Sequence, residues 1–289
     1  MAPLTELAAA KINLTLEILG RRPDGYHELV SLVAFARAGD RLSLTPGEAF
    51  GLDVEGPFGA DLGADNLVER AVRRAQDYHP ALRAGAFRLE KMLPMAAGLG
   101  GGSADAAAAL RLLAAANPEG AGAVDFRPIS AELGADVTVC LEQRAALMWG
   151  IGERVAPVAR LPETFVVLVN PGVPLATAEV YAALDAPPLD GEMVDAAPGL
   201  PGPFPDLDAL LAFLQSSRND LEAPALRLAP EITEARDLLA EAEGCRLVRL
   251  SGSGATWFGV FATQAEAERA AERIARDRPG WWVVASSLR

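Results

Sequence analysis

The chain of 289 residues carries 26 Lys and Arg against 39 Asp and Glu, a formal net charge of −13, and is 51% hydrophobic. That length suits one large domain or two moderate ones around a substantial core. So acidic a chain lacks the positive footprint that nucleic-acid backbones require, and no apolar run approaches the roughly 20 residues that span a bilayer.

Met1 to Glu6 has no basic stretch, and the apolar run Leu7 to Ala10 is too short for a secretory signal. Cys140 and Cys245 lie far apart, form no CxxC pair, and read as small buried hydrophobes in a reducing compartment. The expected location is cytoplasmic.

Residues 10–18 alternate, with Ile12, Leu14, Leu16 and Ile18 on one face and Lys11, Asn13, Thr15 and Glu17 on the other. This predicts a half-buried strand. Lys11 and Asn13 then stand about 6–7 Å apart on the polar face, which reads either as a solvated surface or as part of a site. Arg21 to His27 forms a turn, with φ preset by Pro23 and the turn closed by Asp24-Gly25. Tyr26 and His27 behind it read as a structural pair or as a ligand platform. Leu29 to Phe35, Arg41 to Leu44 and Leu52 to Val54 are expected as strands of a small antiparallel sheet. Asp65 or Asn66 can cap a helix from Leu67 to about Tyr78, which Pro80 stops. Ala86 to Met92 alternates again, with Phe87, Leu89 and Lys91 on one side.

Next comes Pro94-Met95-Ala96-Ala97-Gly98-Leu99-Gly100-Gly101-Gly102-Ser103-Ala104-Asp105, which leads into the alanine-rich run Ala106 to Ala116. Alanine favours helix, and a helix start presents unpaired N–H groups at the positive end of the dipole. Glycine lets an anion approach the main chain, so the stretch reads as a phosphate site, although a glycine-rich surface turn that binds nothing has the same composition. Ordinary glycine caps favour the C-terminal end of a helix, whereas these glycines precede one.

Pro128 to Leu133 begins a helix that Gly134 interrupts, and Asp136 then reads as sitting on a turn, either as a cap or as a functional carboxylate. Ala145 to Trp149 and Glu153 to Val158 form an expected hairpin, Phe165 to Val169 a buried strand and Thr177 to Leu184 a helix. Residues 187–205 hold many Pro and Gly without periodicity and read as a loop or lid. Helices are expected over Asp208 to Gln215, Glu231 to Glu243 and Gln264 to Asp277. Strands are expected over Arg246 to Leu250, Thr256 to Phe261 and Trp281 to Ala285. The mixture predicts an α+β fold of two domains, 1–160 and 161–289, with a site in the inter-domain cleft.

The glycine stretch fits neither of two common phosphate loops. A Walker A loop needs Lys after the glycines, and Gly102-Ser103-Ala104 has none. A dinucleotide fold needs a buried strand running directly into G-x-G-x-x-G, whereas Pro94 to Ala97 intervenes and Ser103 occupies the last glycine's place.

Pro-x-x-x-Gly-Leu-Gly-Gly-Gly-Ser does resemble the central motif of the galactokinase, homoserine kinase and mevalonate kinase superfamily. Ala10-Lys11-Ile12-Asn13-Leu14 and Ser251-Gly252-Ser253-Gly254-Ala255 resemble its N-terminal and C-terminal motifs, in the right order. The resemblance therefore spans nearly the whole chain. Within the superfamily, Ala-Lys-Ile-Asn-Leu, Arg-Pro-Asp-Gly-Tyr-His and Leu-Gly-Ala-Asp-Val are similar to the branch that phosphorylates a diphosphocytidyl methylerythritol in non-mevalonate isoprenoid synthesis.

This resemblance implies a two-domain small-molecule kinase fold, with ATP as co-substrate, Mg²⁺ as cofactor and a cytidine diphosphate compound as substrate. It implies Lys11 and Asp136 as the catalytic pair. It places Pro94, Met95, Ala96, Ala97, Gly98, Leu99, Gly100, Gly101, Gly102, Ser103 and Ala104, with Asn66 and Lys91, around ATP. Asn13, Tyr26, His27, Thr177 and Tyr181 fall on the substrate side. Ala104-Asp105 departs from the paired serines of many members, which leaves the metal ligands unassigned; Asp105, expected in the first helical turn, must point away from a phosphate or toward the metal. A homoserine or mevalonate kinase, and a non-catalytic binding protein on the same fold, are the competing readings. A monomer or weak homodimer is expected.

Overall fold

The opening alternation does form strand, but it begins earlier and breaks sooner than its pattern implies. In the computed structural model, which describes residues 2–62, 66–118, 124–191, 197–199 and 203–289, strand β1 covers Leu4–Asn13 and β2 covers Glu17–Arg21. Both faces are covered: Lys11, Asn13 and Thr15 are buried along with Ile12 and Leu14. The solvated-surface reading of Lys11 and Asn13 is thereby overturned. Buried polar groups require partners, and here the Asn13 amide donates to the Ser31 hydroxyl at 2.8 Å while the Leu32 N–H donates to the Thr15 hydroxyl at 2.9 Å.

Strand β3 (His27–Pro46) is one strand of 20 residues where two were expected. Gly39 allows its continuity, because a Cβ there would lie 2.3 Å from the Ala8 carbonyl oxygen of the adjoining β1. Residues 29–33 of β3 pair antiparallel with β6 (Ala146–Gly150), and residues 41–46 with β5 (Gly85–Glu90). Strand β4 (Gly51–Glu55) runs parallel to β5, so the sheet is mixed rather than antiparallel throughout. A parallel pair needs a crossover, which helix α1 (Leu67–Tyr78) supplies. Asn66 caps α1 by accepting the Val68 N–H at 2.8 Å; Asp65 lies outside the described residues. Strand β7 (Arg154–Pro157) completes the expected hairpin with β6.

Helix α2 runs Gly101–Ala116, so it starts within the glycines and Asp105 falls in its second turn rather than its first. Helix α3 (Arg127–Leu133) is followed directly by α4 (Ala135–Glu142), which the sequence reading missed. Asp136 therefore stands in the first turn of a helix, with Gly134 rather than Asp136 at the cap.

A second, antiparallel sheet has the order β11 (Trp282–Ser287), β8 (Phe165–Asn170), β10 (Trp257–Phe261), β9 (Cys245–Leu250). Helices α5 (Thr177–Leu184), α7 (Glu222–Leu228), α8 (Thr233–Ala240) and α9 (Gln264–Asp277) send Val180, Ala225, Leu239 and Ile274 into one core with Val169 and Trp257. Between α5 and α7 lies α6 (Leu207–Ser216). The helix expected over Glu231 to Glu243 is a 3-10 turn, Pro230–Ile232, followed by the shorter α8. The segment read as a loop or lid opens with order, since Arg21 N–H donates to the Pro187 carbonyl and Leu189 N–H to the Arg21 carbonyl, both at 2.8 Å. Its residues 192–196 and 200–202 lie outside the described residues.

The chain divides into two compact units, neither contiguous. One gathers Met1–Ala10, Ala38–Met95 and Gly100–Gln143; the other gathers Lys11–Arg37, Ala96–Leu99 and Arg144–Arg289. Among the described residues no helix is long and apolar enough to cross a membrane.

Candidate active site

The glycine loop enters the second unit at residues 96–99, where the three sequence motifs meet. Lys11 N–H donates to the Leu99 carbonyl at 2.9 Å, and the Ser251 hydroxyl donates to the Gly98 carbonyl at 3.0 Å. The same hydroxyl oxygen accepts the Asn13 N–H at 3.3 Å, and Thr256 N–H reaches the Ala97 carbonyl at 3.3 Å. Gly98 has φ +72°, and a Cβ on it would sit 2.2 Å from the Ser251 carbonyl oxygen. Only glycine fits.

The loop then enters the first unit. Gly100 is the left-handed cap of α2, and the first helical bond runs from Ala104 N–H to the Gly100 carbonyl at 2.8 Å. The N–H groups of Gly101, Gly102 and Ser103 precede that bond and have no partner within the helix. Beneath this turn Lys91 is buried, and its ammonium donates to Asp40 and, at 2.8 Å, to Asp105. Asp40 also accepts the N–H groups of Met92 (2.6 Å) and Leu93 (2.8 Å).

Burial pushes the Asp105 carboxyl up to about 8, with the neighbouring Asp40 adding to the rise and Lys91 opposing it. For Lys91, burial alone would lower the ammonium's pKa, but the two carboxylates outweigh that and raise it. Asp105, the departure from the family pattern, is thus turned onto Lys91.

On the second unit, a cavity of about 690 Å³ is lined by Arg21, Tyr26, His27, Ile151, Thr177 and Tyr181 among others. The rings of His27 and Tyr181 lie 5.0 Å apart, tilted by 42°, and Tyr26 is exposed. Burial, then the Arg21 charge, lowers the His27 pKa, so its imidazole is neutral at neutral pH and offers both a donor and an acceptor nitrogen. Thr177 shares a 2.9 Å hydrogen bond with the Ser253 hydroxyl, which ties the cavity to the Ser251–Ala255 motif.

The structure therefore gathers Asn13 and the backbone of Lys11 with the loop, and Tyr26, His27, Thr177 and Tyr181 with one another. Lys91 and Asn66 belong to the first unit, as does Asp136; Lys11 belongs to the second. Several supporting residues escaped the sequence reading. Asn219 donates to the carbonyls of Leu250 (2.9 Å) and Gly252 (2.8 Å) and so fixes the C-terminal glycine motif. Arg249, buried, donates to the carbonyls of Leu14, Leu214 and Ser217 at 2.6–2.9 Å. Neither residue, nor Asp40, sits in a pattern that marks it.

Residues 66–144 match the family described as GHMP kinases N terminal domain, and residues 202–279 match GHMP kinases C terminal. A 4-diphosphocytidyl-2-C-methyl-D-erythritol kinase of Methylorubrum extorquens is 52% identical over 295 residues, covering 100% of both chains. The crystal structure of a 4-(cytidine 5'-diphospho)-2C-methyl-D-erythritol kinase superposes with a TM-score of 0.75 at 38% identity, covering 99% of each chain. A homoserine kinase from Cytophaga hutchinsonii superposes with a TM-score of 0.69 at 17% identity, over 99% of this chain and 95% of that one, a likeness of fold alone. The two-domain small-molecule kinase fold expected from the sequence is the one found.

Proposed function

We infer the reaction from the family: this chain belongs to the GHMP kinases, and within them to the 4-diphosphocytidyl-2-C-methyl-D-erythritol kinases. It is an ATP-dependent phosphotransferase of isoprenoid precursor synthesis and phosphorylates the 2-hydroxyl of 4-diphosphocytidyl-2-C-methyl-D-erythritol.

Phosphoryl transfer is chiefly a matter of in-line positioning and of neutralising charge on the transferred group's oxygens. In our reading residues 94–104 cradle the ATP phosphates, and Asn66 lies near the nucleotide. What supports it is the helix start at Gly101 to Ser103, whose N–H groups have no partner within the helix, reached through a loop whose Gly98 has no room for a side chain. Lys91 acts from beneath, joining Asp105 of α2 to Asp40 of β3.

Mg²⁺ would supply positive charge between the phosphates. No group of three or more His, Cys, Asp and Glu fit to hold a metal is found among the described residues.

Asp136 accepts the proton of the substrate hydroxyl, and Lys11 supports the developing negative charge. Tyr26, His27 and Tyr181 hold the cytosine, with Thr177 and Asn13 on the same substrate side. Binding energy far from the reacting oxygen then serves to position it. We assign ATP binding to residues 1–160 and the substrate side to 161–289, with Tyr26 and His27 joining the latter through the unit they share. The chain is proposed to act in the cytoplasm, as a monomer or weak homodimer that does not engage nucleic acid.

The test is ATP consumption with the cytidyl substrate, beside homoserine and beside Asp136→Asn. Turnover of the cytidyl compound and not of homoserine is expected. Asp136→Asn should lower kcat by about 10²–10⁴ with nucleotide affinity nearly unchanged. Near-normal turnover by that variant removes Asp136 from the role of base.

A further inference from the structure

A second cavity of the same unit, of about 360 Å³, has a lining that runs against the composition of the chain. Acids outnumber bases 39 to 26 overall, yet among the described residues four arginines, Arg37, Arg144, Arg160 and Arg289, line this cavity with one acidic side chain, Glu163. None of its lining residues belongs to the His27–Tyr181 cavity.

The four come from separate stretches of chain that backbone bonds hold together. Arg37 lies on β3 two residues beyond Phe35, whose N–H and carbonyl are bonded to the carbonyl and N–H of Arg289 at 3.1 and 2.9 Å. Arg144 precedes Ala145, whose carbonyl accepts the Val158 N–H at 3.1 Å, and this brings Arg160 alongside. Leu288 N–H donates to the Thr164 carbonyl at 2.9 Å and fixes the last side. The floor is apolar, from Leu161 and Leu288, both largely buried. Arg37 and Arg160 are exposed and, among the described residues, have no ion-pair or hydrogen-bond partner.

Arg37 and Arg160, the two guanidinium groups of this lining without a partner among the described residues, leave a local excess of positive charge on a chain whose overall field repels anions. Guanidinium forks match phosphate oxygens in pairs, and their charge is the same at any physiological pH. The volume falls at the small end of ligand cavities, about 300–1,000 Å³.

We propose that this cavity is a second anion site, distinct from the phosphate loop, that takes a diphosphate, either free or carried on a short apolar group lying over Leu161 and Leu288. A diphosphate matches the excess charge. A single carboxylate leaves part of it uncompensated, and a nucleoside triphosphate carries more negative charge than the two unpartnered guanidinium groups supply.

The test is calorimetric titration of the full-length protein saturated with a non-hydrolysable ATP analogue, so that the phosphate loop is filled. One arm uses inorganic pyrophosphate and the other a short-chain alkyl diphosphate. Binding of at least one, weakened at least tenfold in the double variant Arg37→Glu/Arg160→Glu and several-fold in the milder Arg37→Gln, is the expected result. Affinity for the ATP analogue should be unchanged in both variants. A tighter alkyl arm identifies the carried form, and equal arms identify the free anion. Absence of binding in both arms, binding that the variants leave intact, or equal binding of sulfate at the same ionic strength would overturn the proposal.

Discussion

The glycine loop is held differently on its two sides. Residues 96–99 are gripped by neutral groups: the Lys11 and Thr256 N–H donors and the Ser251 hydroxyl. Residues 100–104 rest over a buried cluster of titratable groups, the Lys91 ammonium between Asp40 and Asp105. Neutral hydrogen bonds are insensitive to pH, and each contributes about 0.5–1.5 kcal/mol. A buried cluster of charges is more costly to disturb, since removal of one member leaves another uncompensated in a poorly solvating interior. One loop thus combines a side fixed by shape with a side coupled to protons.

The largest effect should come from the ionic side. Asp40→Ala removes an acceptor from Lys91 and leaves the Met92 and Leu93 N–H groups unpaired, so a loss of about 3–5 kcal/mol is expected in urea unfolding. A loss below about 1 kcal/mol would mean that the cluster does not carry this side.

Gly98→Ala follows, from the neutral side. Its methyl group would collide with the Ser251 carbonyl in a left-handed conformation, and strain plus overpacking give about 2–4 kcal/mol. Unfolding and nucleotide affinity should both register it. Ser251→Ala removes a donor to Gly98 and an acceptor for Asn13, worth about 1–2 kcal/mol. That loss should be the same at pH 5 and pH 8, as the neutral side requires.

The smallest effect at neutral pH is expected for Asp105→Asn, and it is the most telling in form. The folded protein holds the Asp105 proton up to about pH 8, against the ordinary carboxyl value of 3.8. Between those values the unfolded chain releases a proton that the folded chain keeps. The contribution of the protonated carboxyl is therefore whole below about pH 4 and is lost as pH rises toward 8. The stability gap between parent and Asp105→Asn should narrow steadily from pH 5 to pH 8. A gap independent of pH would erase the contrast between the two sides.

Much of this was legible in the sequence, for reasons that differ by residue. Strong periodicity and punctuation located α1 and α9, the latter at its observed ends of Gln264 and Asp277. The glycine stretch was legible because few other contexts demand four glycines at the start of a helix. Alternation found the strand carrying Lys11 and Asn13 but misjudged its polar face, since alternation reports polarity and not burial. Ser31 and Ser251, 18 and 238 residues from Asn13, are what make that face an interior one. Helix α4 was hidden by Gly134 before it and by the β-branched run Val137-Thr138-Val139 within it. Asp40 and Asn219 were illegible because their importance lies wholly in distant carbonyl, amide and ammonium partners.

The way the chain is divided between its two units bears on how the protein must be made. The polypeptide passes from one unit to the other at residues 10/11, 37/38, 95/96, 99/100 and 143/144. A ribosome that has emitted 143 residues has released all of one unit, but only Lys11–Arg37 and Ala96–Leu99 of the other. Those early segments, Lys11 and Asn13 among them, must wait for partners as late as Ser251 and Arg289. Pairings so distant in sequence fold slowly and leave apolar strand exposed meanwhile. Cutting the gene at any single point severs one unit or the other, so neither can be produced alone as an uninterrupted fragment.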